Sequence, residues 1–241
     1  MSNSAFTPRV GIVYQPIEPV SLYASFSQSF FPSQFSVSAD GEAFEPTEGE
    51  GFEIGIKGEI IKDKLSSNLA LFDLTQTNVL TDDPDDPLFS IATGEQSSQG
   101  VEVDIQGEIL PGWDIVAGYA FVDAEVTEDN VLPVGNSLIN VAENSFNLWT
   151  TYRLQKGSLA GLGFGAGIFF VDERPVDLEN SFFIDGYTRV DAAISYEREN
   201  YRAAVNFRNI FNIDYIDAAD GTTELFPGSP FEVNGTVSVK F

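Results

Sequence analysis

Residues Phe231 to Phe241 read FEVNGTVSVKF: Phe231, Val233, Gly235, Val237, Val239 and Phe241 alternate strictly with Glu232, Asn234, Thr236, Ser238 and Lys240. Successive side chains of a strand point to opposite faces of the pleat, so this segment has one apolar face and one polar face. A strand of this kind that ends a chain on an aromatic residue predicts the closing strand of an outer-membrane β-barrel, with lipid on one side and a wet lumen on the other.

Composition agrees with that placement. The chain has 241 residues, is 43% hydrophobic and has a mean hydropathy of −0.04. It contains no run of about 18 apolar residues, which excludes transmembrane helices but not barrel strands, whose apolar face is diluted by alternation. The 21 Phe, 8 Tyr and 2 Trp suit strands and interfacial girdles. Cysteine and histidine are both absent, so disulfides, thiolate or imidazole metal sites and the common catalytic triads are excluded. No catalytic or metal-ligating residue is assigned, and no enzymatic function is expected. A formal charge of −25 argues against a nucleic-acid partner. The N-terminus, MSNSAFTPRV, carries neither a basic n-region nor an apolar h-region. The chain is therefore expected to be a truncated form of an exported protein.

Period-2 reading predicts about eleven strands. The first two, Ala5 to Tyr14 and Val20 to Phe30, are joined by Gln15-Pro16-Ile17-Glu18-Pro19. The third sets Phe52, Ile54, Ile56 and Ile60 against Glu53, Lys57 and Glu59, and turns at Lys62-Asp63-Lys64 into Leu65 to Thr77. The fifth alternates Val101, Val103, Ile105 and Ile109 with Glu102, Asp104, Gln106 and Glu108. After Leu110-Pro111-Gly112 the sixth carries Ile115, Ala117, Tyr119 and Phe121 outward. Strands over Glu143 to Leu154 and Leu162 to Val171 follow. The ninth sets Val190, Ala192, Ile194 and Tyr196 against Arg189, Asp191, Ser195 and Glu197, and the tenth sets Tyr201, Ala203, Val205 and Phe207 against Arg202, Asn206 and Arg208. Charges in mid-strand fit a wet lumen, because unpaired charge in a dry core is expensive.

Long segments at 31–48, 79–96, 127–142, 172–186 and 212–229 alternate with short turns. Bacterial barrels place short turns on the periplasmic side, so odd strands run inward and the last ends at the periplasm. Strands one and eleven then run in the same direction, whereas a closed barrel of this type needs an even number of antiparallel strands. The predicted architecture is all-β: an antiparallel up-and-down transmembrane β-barrel, incomplete, with about 11 strands as half of a 22-stranded barrel. It occupies 1–241 without an internal domain boundary.

Short motifs in a fixed order carry a family resemblance. They are Phe6-Thr7-Pro8-Arg9-Val10-Gly11 with Tyr14-Gln15-Pro16; Tyr23-Ala24-Ser25-Phe26-Ser27 before Phe31-Pro32; EGEGFEIGIK from Glu48 to Lys57; and Leu71-Phe72-Asp73 with Thr77-Asn78. They continue with Gln99-Gly100-Val101-Glu102, Gly118-Tyr119-Ala120-Phe121, Leu148-Trp149-Thr150-Thr151-Tyr152, Gly186-Tyr187-Thr188-Arg189-Val190-Asp191, and Asn209-Ile210-Phe211-Asn212 with Tyr215. In these the chain resembles TonB-dependent outer-membrane siderophore receptors of the ferrichrome-iron type. The resemblance implies a plugged 22-stranded barrel that imports ferric siderophores, with iron bound only through its siderophore and no cofactor of its own. Outer-membrane lipid and the barrel-assembly machinery would be partners, and TonB would engage an intact receptor through an N-terminal part. The plug domain and the N-terminal barrel strands have no counterpart in this sequence. A passive porin-like barrel, or a TonB-dependent barrel for cobalamin, haem or sugar, is the alternative.

Within that resemblance the loop aromatics Phe31, Phe35, Phe44, Phe89, Phe182, Phe183, Tyr215 and Phe226 are candidates for packing on a chelate. Phe31, Phe89, Phe182, Phe183, Tyr215 and Phe226 form the proposed substrate-binding set, with Tyr215 and Phe226 foremost. Phe241, with Val239 and Val237, resembles the C-terminal signal that assembly machinery reads by strand pairing. Trp113, Trp149, Tyr119 and Tyr152 read as headgroup-level anchors. Acidic loop residues, including Asp40, Glu42, Glu45, Glu48, Asp82, Asp83, Asp85, Asp86, Glu95, Asp214, Asp217, Asp220 and Glu224, read as a solvated, cation-screened outer face rather than a Ca²⁺ site, since EF-hand spacing is missing. Through its field such a rim favours neutral or cationic chelates.

Overall fold

A computed structural model describes residues 5–32, 38–39, 41, 43–83 and 88–240, with only the backbone described at Asp82 and Thr93. Fifteen strands lie among them: β1 (Arg9–Ile17), β2 (Val20–Phe31), β3 (Thr47–Ile61), β4 (Leu65–Asp82), β5 (Ser90–Leu110), β6 (Trp113–Glu128), β7 (Asn144–Arg153), β8 (Leu162–Val171), β9 (Arg174–Pro175), β10 (Phe183–Ile184), β11 (Tyr187–Arg198), β12 (Tyr201–Arg208), β13 (Ile216–Asp220), β14 (Glu224–Pro227) and β15 (Glu232–Val239). Eleven of them form one antiparallel meander, in the order β1-β2-β3-β4-β5-β6-β7-β8-β11-β12-β15. The predicted strand number and connectivity are therefore those observed. The meander is open among the described residues, with β1 and β15 as edges that run in the same direction.

One face can be followed across the whole sheet through the register. Val10 pairs with Phe26, Phe26 with Phe52, Ile54 with Leu71, Leu71 with Val101 and Val101 with Phe121. On the far side Leu148 pairs with Ile168, Ile168 with Val190, Ile194 with Val205 and Phe207 with Val233. These side chains form the lipid belt, which is why many large apolar residues are exposed, such as Ile54 (55%) and Val237 (76%). Phe26 and Phe52 lie with ring centroids 4.8 Å apart toward the outer ends, and Tyr196 and Tyr201 lie 6.0 Å apart toward the short-turn ends. Aromatics at both edges of an apolar band are the expected girdles.

The opposite face carries Glu53, Lys57, Glu102, Asp104, Arg189, Asp191 and Arg202. It also carries aromatics laid over glycines: Tyr23 over Gly55, Phe72 over Gly100 and Trp149 over Gly165 and Gly167. An aromatic ring across a facing glycine covers backbone that has no side chain of its own. This corrects the reading of Trp149 as a headgroup anchor. Its partners Val116 and Gly167 put it on the lumen face, while Trp113 and Tyr152 pair with each other on the lipid face.

Connections alternate strictly between ends. The short ones, at 18–19, 62–64, 111–112, 154–161 and 199–200, share one end, where Lys64 bonds Glu108 at 3.0 Å and Arg153 bonds Glu197 at 3.5 Å. Gly107, at φ 138°, lets β5 pass close to the Lys64 carbonyl there. Two expectations change in extent. The first strand is Arg9–Ile17 rather than Ala5 to Tyr14, and most of 79–96 is ladder, because β4 and β5 stay paired as far as Asp82 and Ser90 with register shifts beyond Gln76. Phe35, Asp40, Glu42, Asp85, Asp86 and Phe241 lie outside the described residues.

The face assignment makes opposite demands on two arginine substitutions. Leu71→Arg, on the lipid face, is expected to destabilise the folded sheet by about 2–4 kcal/mol, whereas Ser25→Arg, on the lumen face, costs little. Denaturant titration of both variants in lipid measures the difference, and equal costs would refute the assignment.

Candidate functional site

At the end of the long connections, three loops become one body. The β6–β7 loop first continues the β6 ladder: Val126 N–H donates to the Asn136 carbonyl (2.9 Å) and Leu138 N–H to the Ala124 carbonyl (2.9 Å). Two asparagines then reach sideways. The Asn140 side chain donates to the Ala219 carbonyl (2.6 Å) and accepts from its N–H (3.0 Å), and the Asn180 side chain ties in the same two-sided way to Ser137 (2.8 and 2.9 Å). Both have φ near 60°, at 60° and 53°. Asparagine tolerates this left-handed region better than other side chains, and its amide mimics a backbone rung. The loops between β8 and β11 and between β12 and β15 contain the ribbons β9–β10 and β13–β14, and Val176, just after β9, forms a small core with Ile184 and Ala219, with Ile216 against it.

Arg174, buried at 6% exposure, joins the two ribbons. It donates to the carbonyls of Asp217 (2.7 Å) and Ile216 (3.0 Å) and lies 5.8 Å from the Tyr187 ring centroid. Its charge is met by carbonyl dipoles and a ring face, both favourable to a guanidinium.

A second network fixes the base of the β12–β15 loop. Arg189 grips Asp191 with two bonds (3.1 and 3.2 Å) and donates to the Tyr215 hydroxyl (3.3 Å). Asp191 accepts from the Asn209 N–H (2.8 Å). Asn209 is fully buried and uses its amide on Ile213 (2.8 and 2.9 Å) and Ser229 (3.0 Å). The Asn209 to Tyr215 motif is therefore the joint that turns β12 into its loop. Tyr215 itself stacks on Tyr187 (4.3 Å between centroids) and covers Gly228, where a β-carbon would strike its ring.

The structure divides the predicted binding set. Phe182, Phe183 and Tyr215 come together around a cavity of about 370 Å³, lined also by Ile184, Leu225, Asp185 and Asp214. Tyr215 is only 7% exposed and lines it as a rigid wall, whereas Phe182 (50%) and Phe183 are open to solvent. Phe226 is exposed but is not among the cavity's lining residues, although its neighbours Leu225 and Pro227 are. Phe89 lies at the tip of the β4–β5 hairpin, its carbonyl accepting from the Asp83 N–H (3.1 Å), and joins neither group. Val237 and Val239 lie on β15, whose one neighbour among the described residues is β12. Among the described residues no group of three or more carboxylates is arranged to hold a metal ion.

Phe31 belongs elsewhere, to a cavity of about 530 Å³ against the lumen face of β2 to β5. Sequence reasoning missed most of its lining, including Ser27, Leu74, Gln76, Gln96, Ser98 and Leu138. The signal was available in the polar half of each alternation near the long-connection end, which carries hydroxyls and amides where the opposite end carries charge.

A two-faced meander with short turns at one end and a knitted loop body at the other is a wall of an outer-membrane β-barrel. The chain belongs to the TonB-dependent receptor-like β-barrel family, whose model matches residues 1–210. It is 35% identical to the metal-pseudopaline receptor CntO of Pseudomonas aeruginosa, over all of this chain and 34% of that relative. It is 32% identical to the ferrichrome outer membrane transporter/phage receptor of Escherichia coli, over 99% of this chain and 32% of that relative. It superposes with a TM-score of 0.84 and 27% identity on Pseudomonas aeruginosa FpvA bound to heterologous pyoverdines, over 100% of this chain and 33% of that one. The chain thus spans about a third of the length of the curated relatives it matches.

If the asparagine rungs hold the loops together, Asn140→Leu leaves the buried Ala219 N–H and carbonyl unpaired, at a cost of about 1–3 kcal/mol. Amide exchange at Ala219 is expected to accelerate by ten- to a hundredfold, while exchange in β11 and β12 is unchanged.

Proposed function

We propose that this chain forms part of the wall and outer rim of a receptor that imports ferric siderophores across the outer membrane in a TonB-dependent manner. The observation that carries the reading is the loop cavity at the outer end, where exposed Phe182 and Phe183 stand beside the fixed Tyr215. Flat apolar rings with polar edges suit the ligand shell of a chelate, since each ring buries a large area at low entropic cost. The relatives named for metal-pseudopaline, ferrichrome and pyoverdine support it. In this reading iron is cargo, held only by its siderophore. TonB acts on the whole receptor through an N-terminal part, and the strand with Val237 and Val239 is the segment that barrel-assembly machinery pairs with.

Binding of radioiron chelates of hydroxamate, catecholate and mixed type, by the chain folded in lipid, tests the reading. At least one is expected to bind saturably, and the Phe182→Ala, Phe183→Ala double variant is expected to bind it about tenfold more weakly, or ~1.4 kcal/mol. Unchanged binding in that variant would remove the cavity from the proposal.

A further inference from the structure

We infer that the lumen-wall cavity beside Phe31 is a selectivity surface for uncharged, hydrogen-bonding chelates, an inference that rests on the receptor reading and names its substrate class. The cavity lies where an incoming ligand passes from the loops into the lumen. Its inward-facing side chains are Phe31, Leu74, Ser27, Gln76, Gln96 and Ser98, with Leu138 supplied by the loop that continues the β6 ladder. Gln76 and Gln96 face each other across the β4–β5 ladder, so two amides stand side by side. Glycines keep the wall flush: a β-carbon at Gly51 would approach Leu74 to 2.7 Å, and one at Gly49 would approach Ser29 to 2.6 Å.

Among the described residues the only charged one that lines this cavity is Glu50. It has the parity of the lipid-side face, where it pairs with Gln28 and accepts a 3.0 Å bond from that side chain. Its carboxylate is thus turned away. The surface presented to a ligand is hydroxyl, amide, phenyl and isobutyl in a chain of net charge −25.

Hydroxyls and amides both donate and accept, so they exchange hydrogen bonds with ligand amides, hydroxamates and hydroxyls at little net cost. A ligand carrying several negative charges would shed water against a surface that offers no cation in return, which is the uncompensated case. It would also approach through an acidic field. Phe31, 73% exposed, and Leu74, 48% exposed, add apolar contact that a neutral ligand can use without desolvating a charge.

The test compares two iron(III) probes of similar size, a neutral trihydroxamate and a tris-catecholate trianion, by equilibrium binding to the chain in lipid. The neutral complex is expected to bind at least tenfold more tightly. Gln96→Glu is expected to weaken it by about tenfold, and Gln96→Lys to raise trianion binding by a similar factor, each variant retaining the β-sheet circular dichroism of the parent. If both probes bind equally, or the trianion binds more tightly, the receptor reading survives and the inference about charge is overturned. If the neutral complex is preferred but Gln96→Glu, Gln96→Lys and Phe31→Ala leave both affinities unchanged, the selectivity is not in this wall and the inference is equally overturned. Failure of either probe, and of every other chelate, to bind would overturn the receptor reading with it.

Discussion

Everything in this sheet depends on unbroken register through the membrane-crossing part of each strand. In hydrocarbon no water satisfies backbone N–H and C=O groups, so each must find its partner on the next strand. Side chains repeat every two residues, so a slip of one position would exchange the lipid and lumen faces of an entire strand. From β1 to β15 the ladders obey both demands, and among the described residues only the outer edges of those two strands are left without a neighbour. Register shifts in the eleven-stranded sheet occur between Tyr14 and Ile17, Glu59 and Ile61, Gln76 and Val79, Val79 and Leu80, Glu95 and Gln96, and Glu108 and Leu110, all outside the rows through Leu71, Val101 and Phe121, which are continuous. A bulge leaves backbone groups unpaired, and it is tolerated where water or loops can reach it.

That constraint explains what could be read in advance. Strand number, turn positions and the faces of Val101 to Ile105 or Val190 to Tyr196 were legible, because alternation is local and both solvents are strong. Trp149 was not, because it is a large apolar residue on the wet face, placed there to cover Gly165 and Gly167 on the next strand, and only pairing reveals that neighbour. The loops were legible as loops but not as structure. The ribbons β9–β10 and β13–β14 are too short to show a period, and the rungs from Asn140 and Asn180 connect positions distant in sequence. Tyr215, singled out in the sequence as a ligand contact, lines the loop cavity and also has structural work that the sequence did not show, its hydroxyl bonding Arg189 and its ring lying against Gly228 and Tyr187. The Asn209 to Tyr215 motif carries geometry first.

Charge is sorted along the barrel axis as well as across the sheet. Lys62, Lys64, Lys156 and Lys240 all lie at the short-turn end, where Lys64 meets Glu108 and Arg153 meets Glu197. At the long-connection end the inner wall between β2 and β5 is neutral, and carboxylates such as Glu48, Glu50 and Asp123 occupy positions of lipid-face parity. A molecule entering from outside therefore meets the acidic loops before the neutral wall, and Lys62, Lys64, Lys156 and Lys240 lie farthest away, while Arg174 and Arg189 are held within the loop body by backbone carbonyls and by Asp191. Such ordering acts on approach and on partition, and both act before tight contact is made.

The amide rungs that bind the loops have a further meaning. A chain with 12 basic and 37 acidic residues cannot hold its outer rim together with ion pairs alone, since most carboxylates would lack a partner. Beside the ion pair of Arg189 with Asp191 and the Arg174 guanidinium on backbone carbonyls, Asn140, Asn180 and Asn209 do much of the joining with amides that carry no charge and do not titrate. Ionic strength screens exposed charge pairs on a length of about 10 Å at 0.1 M salt, but leaves such bonds almost untouched. The amide rungs of the rim are accordingly indifferent to salt and to pH, a durability suited to the one part of the molecule that the cell cannot buffer.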